Sequence, residues 1–336
     1  MVPRCLFMVG IEDKIQFCWQ LELLLYSFTR YGGLRSADFV VVMHHRDGGP
    51  EIARYLGQIL ACYPDVKLLE CPSYGNLELG PFYGMRQGYR QRLYYRYPFV
   101  NKVYAMGEVW LAGLMGDYDF LVTLDTDMYI RGPFAWLALP ASILSGHCSG
   151  IANHWIATLH HFGGPHGVNH GKGIDLLALL RALYVSDDAI VKYRNGSVIN
   201  FIRRQDFTEQ FLQAALSYLR ILLEAFILGG SDHQILQEMA CYSLAFAHCD
   251  INVEVIKAAE FSVDGIVTEA PPLDAILHYG FASPFPRSPF NKRSYYQQNI
   301  FVEDLTNRAG RAATAHERDF WSYLAQIRDL CNIQRS

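Results

Sequence analysis

The sequence lacks the features that mark several specialised classes of protein. Its eight cysteines contain no C-x-x-C pair, and most lie in apolar runs, so we expect buried thiols rather than a zinc site or a disulfide framework. The chain has no excess of positive charge either. Its net charge is −4, which gives no electrostatic case for binding nucleic acid.

Long hydrophobic runs are also missing. No segment reaches the ~18 apolar residues that a membrane-spanning helix requires. The start of the chain, Met1-Val2-Pro3-Arg4-Cys5-Leu6, lacks the long apolar region of a signal peptide. We therefore expect a cytoplasmic protein with reduced thiols and no membrane span.

What the sequence does have is a large apolar fraction. Of its 336 residues, 51% are hydrophobic and 18% are charged, which is typical of a globular chain with a substantial core. A chain of this length can form one large α/β domain or two smaller ones. No segment of the sequence has the composition of a linker that would divide the chain into two domains.

The first seventy residues alternate between strand-like and helix-like patterns. Apolar runs typical of short buried strands occur at residues 5–9, 39–43 and 66–69. Apolar residues with helical spacing occur between them, at residues 16–31 and 51–63. This order predicts a parallel sheet with right-handed crossovers. A nucleotide would then bind over the end of the first strand, near Val9, Gly10 and Asp13.

The most informative stretch runs from Tyr118 to Ile130. Its residues 120–124 are apolar and predict a buried strand, and Asp125 and Asp127 follow at once. Burying two unpaired carboxylates inside a strand costs at least several kcal/mol, so we expect them at the strand's carboxyl end, where open α/β sheets bind ligands. Alternate residues of an extended chain share a face, so both carboxylates can approach one divalent cation. The pattern predicts a metal–diphosphate site.

An Asp-x-Asp motif after a strand has more than one interpretation. It can be a plain surface turn, a glycosyltransferase's metal site, or the nucleophile of an aspartyl-phosphate phosphatase. The phosphatase motif normally lies near the chain start and has Thr or Val where this chain has Tyr129. Its later acidic pair is poorly matched by Val263-Asp264-Gly265. The Gly-rich signature of sugar nucleotidyltransferases is missing after the first strand.

Polar residues also stand where later helices and strands begin or end. Lys102 opens a helix over residues 101–115, where an ammonium could reach a phosphate, although it could also be one exposed lysine among many. Asp232 precedes a helix over 234–246 and either caps it or contacts a ligand. His278 ends an apolar strand over 275–277, again in ligand position.

The remaining pattern is mostly helical or loop-like. We expect residues 72–97 to form a solvated loop or a short helix, because they are rich in Gly, Pro, Arg and Tyr. Further helices are predicted at residues 174–184, 207–228 and 315–331, and short strands at 197–202 and 253–256.

In the order of these motifs along the chain, the sequence resembles the GT-A nucleotide-sugar glycosyltransferases, and most closely glycosyltransferase family 8. The residues that carry the resemblance are the first strand with Gly10 to Tyr31, Tyr118 to Ile130, Asn169-His170-Gly171, Asp232 to Gln237, and His278-Tyr279-Gly280 with Pro284 and Lys292. The chain departs from the family's pattern at His233 and Gln237. The matching segments lie within residues 4–296, and long insertions separate them.

The resemblance implies a function and a set of site residues. It implies transfer of a sugar from a nucleotide diphosphate sugar, UDP-linked, to a hydroxyl acceptor on a glycan, protein or small molecule. It also implies Mn²⁺ or Mg²⁺ as cofactor and retention at the anomeric carbon. The implied metal ligands are Asp125, Asp127 and His278. The implied catalytic residues are Asp232, Asn169 and His233, and the donor contacts are Val9, Gly10, Asp13, Lys102, Thr126, Gly171, Gly280 and Lys292.

The fold implied is α/β, a single GT-A-like domain with a Rossmann-like, mostly parallel sheet flanked by helices. We expect this domain over residues 1–300, with a nucleotide-binding half at 1–130 and an acceptor half at 131–300. A helical extension would follow at 301–336. A protein of the same fold that binds nucleotide sugars or glycans without catalysis remains an alternative.

Overall fold

The computed structural model describes residues 2–46, 48–79, 93–96, 100–134, 139–152, 199–228, 237–256, 261–262, 276–278, 290–312 and 314–331. The chain divides into two units, which we call unit 1 and unit 2. Unit 1 comprises Met1–Leu6, Cys71–Thr123 and Pro140–Lys257. Unit 2 comprises Phe7–Glu70, Leu124–Leu139 and Ala258–Ser336. The domain boundaries expected at residues 130 and 300 stay a prediction.

Strands and helices alternate along the described residues. The strands are β1 Cys5–Glu12, β2 Phe39–His45, β3 Lys67–Pro72, β4 Asn76–Leu79, β5 Leu93–Arg96, β6 Phe120–Thr123, β7 Met128–Ile130, β8 Ser149–Ala152, β9 Asn200–Arg203, β10 Val253–Ile256, β11 Phe261–Ser262 and β12 Ile276–His278. The α-helices are α1 Ile15–Arg30, α2 Pro50–Cys62, α3 Val100–Leu111, α4 Ala141–Leu144, α5 Glu209–Leu228, α6 Gln237–His248, α7 Leu305–Gly310 and α8 Ala315–Cys331. Short 3₁₀-helices cover Ser36–Asp38, Lys292–Tyr295 and Ile300–Val302.

Each unit has its own run of paired strands. In unit 2 the order is β1-β2-β3, and β1 pairs with β2 in parallel from Phe7 opposite Phe39 to Glu12 opposite His44. In unit 1 the order is β10-β8-β9-β6, with β10 parallel to β8 and with β9 antiparallel to β8 and β6. Since β1, α1 and β2 form a parallel strand–helix–strand unit, the predicted α/β fold class is confirmed.

Two smaller sheets complete the pairing. In unit 2, β12 pairs in parallel with β11 and antiparallel with β7. In unit 1, β4 pairs antiparallel with β5, from Asn76 opposite Arg96 to Leu79 opposite Leu93. The expectation of a loop or short helix over residues 72–97 was therefore wrong at both ends. The local composition favoured a loop, whereas the antiparallel pairing of the two segments makes them strands.

The core of unit 2 forms where α1 covers β1 and β2. Phe28 of α1 packs edge-on against Phe7 of β1 and Phe39 of β2, with ring centroids 4.9 Å apart in both pairs. All three rings are buried. Burying such a side chain is worth about 1.5–3 kcal/mol, which explains why the helical spacing in the sequence predicts α1 well. The helix ends before Gly33, whose φ of +65° favours glycine.

The C-terminal helix α8 was predicted at the bounds that the structure shows. Its Tyr323 stacks on Tyr31, which directly follows α1, with centroids 4.2 Å apart. Its Trp321 is 1% exposed and packs edge-on against Phe290, at 5.3 Å. These contacts stabilise both α1 and the chain just before Lys292.

Unit 1 has a core of its own. Phe120 of β6 lies beside Phe201 of β9, and Phe211 of α5 packs on Phe246 of α6 at 4.9 Å. The helices predicted near residues 207–228 and 234–246 are confirmed as α5 and α6. No helix in the described part of the chain combines the length and apolar character that a membrane span needs. Among the cysteines that the structure describes, none forms a disulfide.

Candidate functional site: an acidic turn held by helix α1 and Lys292

The Asp-Thr-Asp turn belongs to unit 2 and connects the end of β6 to β7. Leu124 N donates to the carbonyl of Met8 at 2.9 Å, so the chain still runs beside β1 just before the turn. Asp125 and Thr126 are buried, at 8% and 6% exposure, and the Asp127 side chain is 18% exposed. The two carboxylates therefore stand at the end of a strand, as the sequence predicts.

Helix α1 holds this turn through a buried hydrogen bond. Thr126 Oγ1 donates to Gln20 Oε1 at 3.0 Å, and Gln20 is only 2% exposed. The sequence analysis missed Gln20. Its signal was a polar residue on the apolar face of the helix, four positions before Leu24. Gln20 thus sets the position of the residue between the two aspartates.

A second side chain of α1 fixes the chain just after the turn. Ser27 Oγ accepts from the backbone N–H of Ile130 at 3.0 Å and donates to the carbonyl of Leu24 at 2.9 Å. Ser27 is fully buried. Hydrogen bonds from one helix thus hold both the middle of the acidic turn and the end of β7.

Lys292 contacts the second aspartate directly. Its Nζ donates to Asp127 Oδ2 at 2.6 Å, and the lysine side chain is only 6% exposed. A buried ammonium is costly unless it is paired, so this contact stabilises both groups in place. The sequence marked each residue as a site candidate, and the structure joins them.

The backbone that carries Lys292 is fixed by packing. Lys292 begins a 3₁₀-helix that ends at Tyr295, and the carbonyl of Tyr295 accepts from Trp19 Nε1 at 3.3 Å. The rings of Phe290 and Tyr295 stack with centroids 5.8 Å apart, and both residues are buried. The backbone that carries the ammonium is therefore held by packing and by a hydrogen bond from α1.

His278 lies across the sheet from the acidic turn. In the antiparallel pairing of β12 with β7, His278 stands opposite Met128, the residue after Asp127. The structure describes only the backbone of His278. The pairing brings that backbone next to the turn, and its role as a metal ligand stays a prediction.

The end of β1 differs from the expectation. The sequence placed the end of this strand at Val9 and Gly10, but β1 continues to Glu12, so this boundary was wrong by three residues. Val9 is fully buried and pairs with Val41, and Gly10 pairs with Val42. Gly10 does not interrupt the strand, because the residues on both sides of it, Val9 and Ile11, also pair with β2. The polar end of the strand is Glu12 and Asp13, and the donor contacts expected of Val9 and Gly10 stay predictions.

Asp13 organises the loop that follows β2. Its Oδ2 accepts from the backbone N–H groups of Arg46 and Gly48, at 2.9 and 2.7 Å. A Cβ at Gly48 would lie 2.5 Å from that oxygen, so only glycine allows this approach. The expected contact of Asp13 with a nucleotide stays a prediction, while its contact with the loop is observed.

Charged groups line the carboxyl ends of neighbouring strands in unit 2. Glu12, which sequence analysis did not single out, is 2% exposed and forms an ion pair with Lys14. At the last residue of β2, His45 Nε2 lies 2.9 Å from Glu70 Oε1 of β3. This polar edge follows buried strands, which is where α/β folds bind ligands.

A buried carboxylate lies deeper in α1. Glu22 Oε2 accepts from Tyr55 Oη at 2.7 Å, and Glu22 is 1% exposed. Burial, together with Glu22, raises the pKa of Tyr55 well above its ordinary value. Burial, with Glu22 and Asp13 as further causes, raises the pKa of Cys18 to about 12. Cys18 is therefore a protonated thiol at neutral pH.

The remaining predicted site residues belong to unit 1 or fall outside the described part of the chain. Lys102 belongs to unit 1, in the first turn of α3. The residues that lie outside the described part of the chain are Asp232, Asn169, His233, Gly171 and Gly280. The roles expected of them stay predictions.

The chemistry of the turn fits a divalent cation. In the described residues no group of three or more His, Cys, Asp or Glu side chains is placed to hold a metal. Two carboxylates are nevertheless present in one short turn, and one of them binds an ammonium at 2.6 Å. Asp127 Oδ2 therefore already lies beside one positive charge. With an imidazole from His278, the set would suit Mn²⁺ or Mg²⁺.

Comparison with known proteins finds similarity only at the level of structure. No protein-family model matches the chain, and no curated protein matches it. The apo WbbM bifunctional glycosyltransferase is 13% identical with a TM-score of 0.44, and the match covers 96% of this chain and 52% of that one. The chain therefore spans about half the length of that protein.

Two further solved structures are similar over most of their length. The galactosyltransferase LgtC, in complex with donor and acceptor sugar analogues, is 10% identical with a TM-score of 0.48, and the match covers 95% of both chains. The apo form of mouse xyloside xylosyltransferase 1 is 11% identical with a TM-score of 0.40, covering 83% of this chain and 97% of that one. All three are glycosyltransferases, the class that the sequence resembles. Likenesses this remote carry no argument about activity, which rests on this chain's own residues.

Proposed function

We propose that the chain is a glycosyltransferase that moves a sugar from a UDP-linked donor to a hydroxyl acceptor, with Mn²⁺ or Mg²⁺. The observation that carries this proposal is the pairing of Lys292 with Asp127 in a buried Asp-Thr-Asp turn at a strand end. A metal–diphosphate site needs carboxylates for the metal and a positive side chain for the phosphates. The turn supplies the carboxylates, and Lys292 supplies the positive side chain.

The residues take separate roles in this proposal. Asp125, Asp127 and His278 would hold the metal, which neutralises charge on the leaving diphosphate when it is bound. Lys292 would hold a phosphate oxygen, and Thr126 positions the turn through Gln20. The further donor contacts proposed are Val9, Gly10, Asp13, Lys102, Gly171 and Gly280.

On the acceptor side we propose retention of the anomeric configuration. An inverting enzyme needs a general base opposite the leaving group. Asp232 begins a predicted helix, where the helix dipole stabilises its anion by about 0.3–1 kcal/mol and makes it a poor base. Asp232, Asn169 and His233 would therefore orient the sugar rather than take a proton. NMR of the first-formed product tests this, because an inverted anomeric centre would restore Asp232 as the base.

Thermal unfolding with a panel of nucleotide sugars tests donor binding. A ligand present at 100 times its Kd stabilises the folded state by about 2.7 kcal/mol. We expect a UDP sugar to raise the melting temperature with Mn²⁺ and much less with EDTA. Asp127→Ala should abolish the difference between Mn²⁺ and EDTA. A UDP-sugar shift that is equal in Mn²⁺, in EDTA and in the variant would contradict the metal's role.

Two alternatives give different results in simple assays. A catalytically idle binder would show the thermal shift but would neither hydrolyse the donor nor transfer its sugar to any acceptor. An aspartyl-phosphate phosphatase would cleave simple phosphoesters, and Asp125→Asn would abolish that activity.

A further inference from the structure

Asp127 Oδ2 already has a cation as its neighbour. The ammonium of Lys292 lies 2.6 Å from it, and both side chains are less than one-fifth exposed. A divalent cation binds a carboxylate oxygen at about 2.0–2.6 Å. With the ammonium in its present position, two positive groups would meet at one oxygen in a partly buried site, where repulsion is weakly screened. The two cations therefore exclude each other at this atom.

We propose that Lys292 competes with the divalent cation for Asp127, and that the donor's diphosphate relieves this competition by taking the ammonium. The metal's role rests on the function proposed above. If the metal bound Asp127 without diphosphate, the buried Lys292 ammonium would lose its contact with that carboxylate. Losing a carboxylate partner in a buried site costs free energy. When a diphosphate is present, the ammonium gains phosphate oxygens instead. Metal and donor consequently bind with positive coupling, and the coupling is the same in both directions.

The structure supports the exchange because only the end of the side chain has to move. The backbone of Lys292 is held by the stacked rings of Phe290 and Tyr295 and by the hydrogen bond from Trp19 to the Tyr295 carbonyl. A lysine has four rotatable bonds in its side chain and a compact charge, so its ammonium can turn to a new partner on a fixed support.

Titration of Mn²⁺, followed by the electron paramagnetic resonance signal of the free ion and without nucleotide, tests the competition. We expect Lys292→Met to bind Mn²⁺ on the order of tenfold more tightly than the wild-type chain, because the competing charge is gone. Lys292→Arg keeps the charge and should stay within about threefold of wild type. Arg131→Met is the matched control: it removes a charge that pairs with Asp319 at 2.7 Å, and Mn²⁺ affinity should change less than about twofold.

A second measurement uses the wild-type chain, so that the test does not depend on the variants folding. Amine-reactive labelling with mass spectrometry reports the accessibility of the Lys292 ammonium. Saturating Mn²⁺ should increase labelling of Lys292 and leave that of Lys14, which pairs with Glu12, unchanged. Unchanged labelling of Lys292 at saturating Mn²⁺ would overturn the competition.

The outcomes separate this inference from the proposed function. If Mn²⁺ binds wild type and Lys292→Met equally, or binds the variant more weakly, the competition is wrong while the metal site stands. If Mn²⁺ binds neither the wild-type chain nor any variant, with or without UDP, both the competition and the metal-dependent function are overturned.

Discussion

The hydrogen bond between Thr126 and Gln20 allows a sharp test of how the acidic turn is held. Its two side chains are 6% and 2% exposed, and Thr126 Oγ1 donates to Gln20 Oε1 at 3.0 Å. Thr126→Val removes the donor and leaves a buried carbonyl oxygen without its hydrogen. Gln20→Met removes the acceptor and leaves the hydroxyl without its partner. The double variant replaces both with apolar groups of similar shape.

The magnitudes follow from the cost of an unsatisfied buried group. Such a group costs about 1–3 kcal/mol, whereas replacing both partners can be nearly neutral. We therefore expect each single variant to lower the free energy of unfolding by about 1–3 kcal/mol. The double variant should lie within about 1 kcal/mol of wild type, which makes it more stable than the less stable single variant. In melting temperature, each kcal/mol corresponds to about 2 °C in a chain of this size.

Urea unfolding of the four chains measures this coupling, provided that the slope of free energy against urea stays constant. Thr29→Val is the matched control, because Thr29 Oγ1 donates to carbonyls of α1 that already serve the helix. We expect Thr29→Val to change the free energy of unfolding by less than about 0.5 kcal/mol. Additive losses in the double variant, with no coupling between the two sites, would refute the role given to this hydrogen bond.

Two further predictions concern the polar end of β1 and the buried thiol of α1. Gly48→Ala should lower the free energy of unfolding by about 1–3 kcal/mol, because its Cβ would lie 2.5 Å from Asp13. At Gly132 a Cβ meets no atom within 4 Å, so Gly132→Ala should be nearly neutral in the same urea titration. Thiol labelling at pH 8 should modify exposed Cys62 rapidly and Cys18 only when the chain unfolds. Cys18 is fully buried, and burial raises its pKa to about 12. Rapid labelling of Cys18 in the native protein would contradict its burial.

The sequence predicted the elements of this fold better than their contacts. The helix α8 could be predicted at its observed bounds, Ala315–Cys331, because Phe320, Trp321, Leu324 and Ile327 recur at helical spacing and are buried. The end of β1 could not, because a glycine normally weakens a strand and Gly10 looked like its end. The pairing of β4 with β5 was missed because local composition does not encode which segments pair.

In the candidate site, too, the residues could be predicted from the sequence but their contacts could not. Asp125 and Asp127 were predictable, since carboxylates after an apolar strand must stand at its end. The pairings that hold them were not predictable. Thr126 lies 106 residues from Gln20 in sequence, and Lys292 lies 165 residues from Asp127. One sequence contains no signal for which polar residues meet over such distances, and only the polar residue on the apolar face of α1 marked Gln20 as unusual.

Release of UDP from a UDP sugar measures the proposed reaction itself. Many transferases pass the sugar slowly to water, so the assay needs no identified acceptor, and phosphorus NMR distinguishes UDP from inorganic phosphate. We expect the wild-type chain to release UDP from at least one UDP sugar with Mn²⁺. EDTA should stop this release, and Asp127→Ala should abolish it. Metal-dependent UDP release at the full rate by Asp127→Ala would contradict the metal's place at Asp127, and release of inorganic phosphate alone would contradict sugar transfer.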